Sequence, residues 1–128
     1  MQFHHWLALW LVTSVATASV AWAADCSSAE AAAENAEDEA RKAYRADTIA
    51  ECHHHLKRAR DYAREAQSAA SSCDCDEAES NADDAERYAK RGLGESKLDD
   101  CQSQARRARN EADEASDEAV NCSLLKVD

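Results

Sequence analysis

Three consecutive histidines, His53–His55, directly follow Cys52 and form the densest group of potential metal ligands in the chain. Neutral imidazole binds zinc, copper and nickel. If this segment is helical, successive side chains point about 100 degrees apart, so the three rings cannot all converge on one ion. The corresponding residues later in the chain are Gln102, Ser103 and Gln104. A metal-binding or metal-buffering role for His53–His55 is therefore an alternative hypothesis rather than the main one.

Cysteines are the second residue type whose spacing carries chemistry, at Cys26, Cys52, Cys73, Cys75, Cys101 and Cys122. An even number of cysteines in a short exported chain is typical of disulfides formed in an oxidising compartment. Zinc held by the thiolates is the weaker alternative, because no Cys-x2-Cys pair is present. The sequence therefore predicts disulfide bonds.

An export signal is predicted at the N terminus. Residues 6–20 are largely apolar and the small-residue sequence Ala21-Trp22-Ala23 follows, which predicts a signal peptide over residues 1–23. Because no Lys or Arg precedes the apolar stretch, an uncleaved membrane anchor remains an alternative. The expected location is secreted or periplasmic, without membrane association after the signal is cleaved.

No combination of residues predicts catalysis. No serine lies in a Gly-x-Ser-x-Gly setting, and oxidised cysteines would offer no thiolate. The carboxylates are expected on open helix faces, where no cleft shifts their pKa, and no calcium-binding loop motif is present. We therefore expect a protein that is not an enzyme and that carries no cofactor.

Alanines recur at a spacing typical of closely packed helices. Steps of four and three residues separate the members of a first stripe, Ala29, Ala33, Ala36, Ala40 and Ala43. The same steps separate those of a second, Cys52, Leu56, Ala59, Ala63, Ala66, Ala70 and Cys73. Each stripe predicts a helix with a heptad seam of alanine. The phase breaks between the two stripes, so we expect a turn near residues 46–49.

The cysteine pattern repeats after 49 residues, since Cys26, Cys52 and Cys73 recur as Cys75, Cys101 and Cys122. Alanines of both stripes recur at the same offset, among them Ala33 as Ala82 and Ala66 as Ala115. This period predicts an internal duplication. The expected fold is all-α, with two tandem antiparallel helical hairpins and four helices in total. The hairpin repeats would span residues 24–74 and 75–128, the second ending in a short C-terminal tail.

Folding each hairpin back on itself pairs residues whose numbers have a constant sum. In the first hairpin Ala33 then faces Ala66, and in the second Ala82 faces Ala115. The same geometry and the equivalent positions of the two remaining cysteines predict the disulfides Cys26–Cys73, Cys75–Cys122 and Cys52–Cys101. Bonding of Cys52 or Cys101 to another chain is the alternative.

Helix starts and stops agree with this scheme. Capping-box spacing predicts helix starts at Ser27-x-x-Glu30, Thr48-x-x-Glu51 and Asp76-x-x-Glu79. Gly92 and Gly94 are expected to end the third helix.

Charge is sorted along the chain as well as unbalanced. The net charge of −11 argues against nucleic acid and anionic membranes as partners. Acidic residues fill the first parts of the first and third helices, and basic residues follow them. The second and fourth helices run the other way, with basic residues first and, in the fourth, Glu111, Asp113, Glu114, Asp117 and Glu118 at the end. Antiparallel hairpins would gather like charges, with an acidic zone near the Cys26–Cys73 bond and a basic zone near the turns.

The sorted charge predicts a structural or interaction protein. Its expected partner is another protein, captured through one charged end, or a second copy of the chain. A solvated charged surface without a partner is the simpler interpretation of the same pattern. A metal ion is a weaker candidate partner, and a small exported effector or inhibitor is a further alternative.

Overall fold

Four helices form the part of the protein that a computed structural model describes, residues 25–125. They are α1 Ser27–Tyr44, α2 Ile49–Ser72, α3 Asp76–Leu93 and α4 Leu98–Leu125. No strand occurs within residues 25–125, so this part of the protein is all-α. The signal peptide predicted over residues 1–23 lies outside the described residues.

Of the three helix caps predicted from capping-box spacing, the structure confirms one. Thr48 caps α2, where its Oγ1 accepts a hydrogen bond of 3.1 Å from the backbone N–H of Glu51. The predicted caps Ser27 and Asp76 are wrong, because both residues lie inside their helices and Cys26 and Cys75 occupy the cap positions without a side-chain cap bond. Both cysteines at these cap positions are in disulfides, Cys26 with Cys73 and Cys75 with Cys122.

The helices pack as a four-helix bundle. Short connections at residues 45–48, 73–75 and 94–97 make successive helices antiparallel. Helix α1 packs against α2 and α4 to a similar extent, and α3 likewise packs against α2 and α4, whereas α1 and α3 barely touch. The two hairpins therefore share one core, although the sequence only predicted them to lie side by side. Alanine side chains are short, so a helix pair alone leaves apolar surface that the other pair covers.

The core is built almost entirely from small side chains. Its buried apolar residues are 20 alanines, five cysteines and Leu56. Each level of the bundle takes residues from several helices; one such level contains Ala36, Ala63, Ala85 and Ala112. Burying an alanine methyl contributes only about 0.8 kcal/mol, so this core is weak for its size and covalent links are needed.

Three disulfides supply those links. Cys26 is bonded to Cys73, Cys75 to Cys122 and Cys52 to Cys101, with Cα–Cα distances of 5.5, 6.0 and 6.4 Å. These are the three pairs that the cysteine spacing predicts. The first two close the ends of the hairpins, and the third joins α2 to α4 at the other end of the bundle. A small helical protein with three disulfides fits an oxidising, extracellular environment.

Candidate interaction surface

The bundle divides across its long axis into two parts of opposite charge. We define the acidic half as residues 25–38, 65–86 and 110–125, which surround the Cys26–Cys73 and Cys75–Cys122 disulfides. The basic half comprises residues 39–64 and 87–109, which surround the Cys52–Cys101 disulfide. Because neighbouring helices are antiparallel, the start of α1 or α3 lies beside the end of α2 or α4. Each half therefore contains chain segments that are far apart in sequence.

The acidic half contains 18 Asp and Glu residues and no Lys or Arg. Only Glu86 among these carboxylates is buried, and the other 17 are exposed or half-buried. All four helices contribute carboxylates, so the negative charge surrounds this end of the bundle. The residues of the acidic half have a formal charge of −18. Cations of the basic half balance part of this charge at the boundary, where Arg41 lies 2.6 Å from Glu37 and Arg87 lies 2.7 Å from Asp83.

The pKa is raised for three carboxyls in the acidic half. Partial burial raises the pKa of Glu37, and the Asp113 charge raises it further against the opposing charge of Arg41. Partial burial also raises the pKa of Glu111, with added repulsion from Glu114 and Asp84. A hydrogen bond shared with Glu77 raises the pKa of Glu118, because two adjacent carboxyls hold a proton more tightly than one alone. A bound cationic group would relieve this repulsion.

The basic half has 14 Lys and Arg against seven Asp and Glu, a formal charge of +7. Three of its guanidinium groups lie over aromatic rings. Arg91 and Arg107 lie over the ring of Tyr88, at 5.4 and 5.9 Å from its centroid, and Arg109 lies 5.7 Å from that of Tyr44. Such contacts favour a defined position for each cation.

Two buried carboxylates lie near the boundary between the halves. Glu39, 5% exposed, accepts a 2.8 Å bond at its Oε2 from His55 Nδ1, and its Oε1 lies 3.4 Å from Arg58 Nε. Burial raises the pKa of Glu39, but the His55 bond and the Arg58 and Lys42 charges outweigh it, and the net pKa is lowered. These bonds join α1 to α2.

Glu86 makes the corresponding link between α2 and α3. Its carboxylate accepts a 2.5 Å bond from Gln67 and lies 2.6 Å from Lys90 and 3.4 Å from Arg64. Burial acts to raise the pKa of Glu86, and these donors lower it overall. Sequence reasoning missed both glutamates. The available signal is spacing: Glu86 lies four residues after Ala82 and three before Ala89, as an alanine of the stripe would.

The three histidine rings do not converge on a common point. His53 Nε2 lies 2.9 Å from the backbone oxygen of Glu95, and His55 turns to the opposite side to bond Glu39. His54 is exposed and meets His55 edge to face at 5.1 Å between ring centroids. The three rings thus face different surroundings, as the helical geometry of the sequence requires.

The cysteines bring three sulfurs together at the acidic end, where those of Cys26, Cys75 and Cys122 lie within 4.8 Å of one another. All are in disulfides, and no free cysteine occurs among residues 25–125. The centre of the bundle offers no alternative site. Eight alanines enclose it too tightly for a water molecule.

Comparison of the chain with protein-family models, curated proteins and solved structures found no match. None of the helices in the described part has the length and apolar character needed to cross a bilayer. The separated charges are the largest feature of the described surface. They are the basis on which a function can be inferred.

Proposed function

We propose that this protein is an exported, non-enzymatic binding protein whose acidic half captures a cationic segment of a partner protein. The observation that carries the proposal is the gathering of 18 carboxylates, without any Lys or Arg, at one end of a disulfide-linked bundle. Electrostatic complementarity of this kind speeds association and selects partners by charge. The signal peptide predicted over residues 1–23 and the three disulfides support export.

Charge balance favours a cationic partner over self-association. If two copies dock with the acidic half of one against the basic half of the other, a charge of +7 meets one of −18. Most of the negative charge would remain unbalanced. A segment rich in Lys and Arg can supply more positive charge over the same area, so a separate cationic protein is the better occupant.

Stiffness of the scaffold also supports the proposal. We interpret the scaffold as two duplicated hairpins whose alanine seams let the helices approach closely, and the buried alanines fit this interpretation. Helices that are closely packed and linked at both ends hold their carboxylates in fixed positions. A pre-organised surface loses less conformational entropy when it binds a partner.

Proton linkage offers further support. Burial and then neighbouring carboxylates raise the pKa of Glu37 and of Glu111, and a hydrogen bond with Glu77 raises that of Glu118. A bound cation stabilises the ionised form of a carboxyl and lowers its pKa. Binding of a cationic partner should therefore release protons in mildly acidic solution.

The test is calorimetric titration of the mature protein with an oligolysine peptide. One triple variant removes three exposed charges from the acidic half, Asp113→Asn, Glu114→Gln and Asp117→Asn. A matched control removes the same charge from the basic half, Glu95→Gln, Asp99→Asn and Asp100→Asn. We expect the acidic-half variant to weaken binding about tenfold and the control to weaken it much less, since each surface charge contributes up to about 1 kcal/mol.

Equal losses in the two triple variants would contradict the proposal, because they would indicate a response to net charge alone. Binding that does not weaken as salt is added would also contradict it. Light scattering on the same samples tests the alternative of self-association. A particle mass that rises above that of the monomer at low salt, without peptide, would favour association between copies.

A further inference from the structure

A groove lies on the basic half between α2 and the end of α3. It has a volume of about 480 Å³ and is lined by Ala50, His53, His54, Lys57, Arg60 and Leu93. Residues at positions 50, 53, 54, 57 and 60 lie on one face of α2, and Leu93 comes from α3. No Asp or Glu lines the groove.

Positive charge in the groove comes from Lys57 and Arg60. No Asp or Glu of the described residues lies within 4.0 Å of the Lys57 ammonium group, and the nearest carboxylate to Arg60 is that of Asp61, at 3.4 Å. The Asp61 side chain is 62% exposed, so this ion pair contributes little and can give way to a ligand. By contrast, Glu86 already neutralises the neighbouring Lys90.

One turn of helix separates the two cations, which favours a ligand group with two negative charges. The Arg60 guanidinium can bind two oxygens of one group side by side, while the Lys57 ammonium acts as a point charge. A phosphate monoester carries nearly two charges at neutral pH, whereas a carboxylate or sulfate ester carries one.

The remaining walls limit what else the ligand can contain. His53 Nε2 is bonded to the Glu95 carbonyl, which only accepts, so this nitrogen donates and is not free for a ligand. Ala50 and Leu93 offer apolar surface beside the cations. The groove is open to solvent, and its volume of about 480 Å³ leaves room for a small phosphate ester.

We propose that this groove binds a small organic phosphate monoester. The phosphate lies between Lys57 and Arg60, and the organic part rests on Ala50 and Leu93. This site is in the basic half, separate from the acidic half that binds a cationic partner, so either can fail without the other.

The experiment titrates the full mature protein with phenyl phosphate, phenyl sulfate and inorganic phosphate. The double variant Lys57→Gln with Arg60→Gln removes both cations. The offset of 49 residues gives a matched control, Arg106→Gln with Arg109→Gln, which removes equal charge from the other hairpin and leaves the groove intact. Circular dichroism checks that both variants keep the helical fold.

Phenyl phosphate is expected to bind more tightly than either other probe. The groove variant should lose about tenfold or more in affinity while the control stays close to the unmodified protein. Equal losses in both variants would overturn the proposal, because they would show attraction to overall charge. Equal affinity for inorganic phosphate and phenyl phosphate would overturn it too, since the apolar wall would then contribute nothing.

Discussion

Gly92 is the residue at which small-residue packing is most demanding. A Cβ atom at this position would overlap Cδ1 of Leu56 and lie 3.2 Å from Cβ of Gln104. Leu56 is fully buried and is the largest such side chain in the described core, so it cannot move without disturbing its neighbours. Glycine is required here for space, and not for an unusual backbone angle.

We therefore predict that Gly92→Ala lowers the free energy of unfolding by about 1–3 kcal/mol, the range typical of overpacked cores. Gly94→Ala is the matched control, because a Cβ there meets the Arg91 carbonyl oxygen at an ordinary 3.4 Å. That substitution should be neutral or slightly stabilising. Urea denaturation measures both, and similar stabilities for the two variants would contradict the packing described for Leu56.

Residue contacts were predictable where the spacing of cysteines or of the alanine stripes fixes them, including the Cys52–Cys101 bond between the hairpins. The disulfide partners follow from cysteine positions, but the contact of Gly92 with Leu56 joins different hairpins. The same limit applies to His53, whose partner Glu95 lies in the α3–α4 connection. Nothing in the helical period specifies how one hairpin rotates against the other.

At the scale of elements, helix positions were predictable and two helix starts were not. The break in the alanine phase places the first turn, and α1 and α2 indeed end and begin on either side of residues 45–48. Capping-box spacing misplaced the starts of α1 and α3 by one residue. At α1 the backbone N–H of Glu30, which a Ser27 cap would bind, donates instead to the Cys26 carbonyl oxygen at 2.9 Å.

Disulfides should contribute a large part of the stability of these elements. Cys26→Ser with Cys73→Ser opens a loop with a sequence separation of 47 residues. The loop-entropy relation gives a loss of about 4 kcal/mol for a loop of this length. Thermal and urea unfolding of the double variant measure the loss. A decrease below about 1 kcal/mol would show that the core and the two remaining disulfides suffice without this bond.

For the whole molecule, sequence predicted the sorting of charge but not the shared core. Antiparallel folding necessarily places the acidic start of α3 beside the acidic end of α4, whatever the first hairpin does. The packing of α1 against α4 has no comparable signal, because the alanine stripes of both hairpins are nearly identical. The burial of Glu39 and Glu86 was not predicted, because glutamate on a helix is usually exposed to solvent.

The pKa of Glu111 is raised and that of Glu39 is lowered. Replacing each glutamate should therefore change the stability of the protein near neutral pH in opposite directions. Glu111 has a raised pKa in the folded protein, so its ionised form costs stability, and this cost appears as pH rises above the ordinary value of 4.5. We predict that Glu111→Gln stabilises the protein near neutral pH by about 0.5 kcal/mol or less and has no effect well below pH 4.5.

Glu39 provides the control of opposite sign. Its lowered pKa means that its ionised form adds stability, which is present above the ordinary value of 4.5 and is lost as pH falls through the folded pKa. Glu39→Gln should therefore destabilise the protein near neutral pH, and the loss should shrink in acid. Urea unfolding over a pH series measures both variants. The same sign for both would contradict the described environments.

The most direct test of the central claim, that the acidic half is a binding surface, is a map of backbone amide chemical shifts during titration of the labelled protein with oligolysine. The predicted result is that shifts concentrate in residues 25–38, 65–86 and 110–125 and saturate with the peptide. Shifts concentrated in residues 39–64 and 87–109, or spread evenly over all four helices, would contradict it.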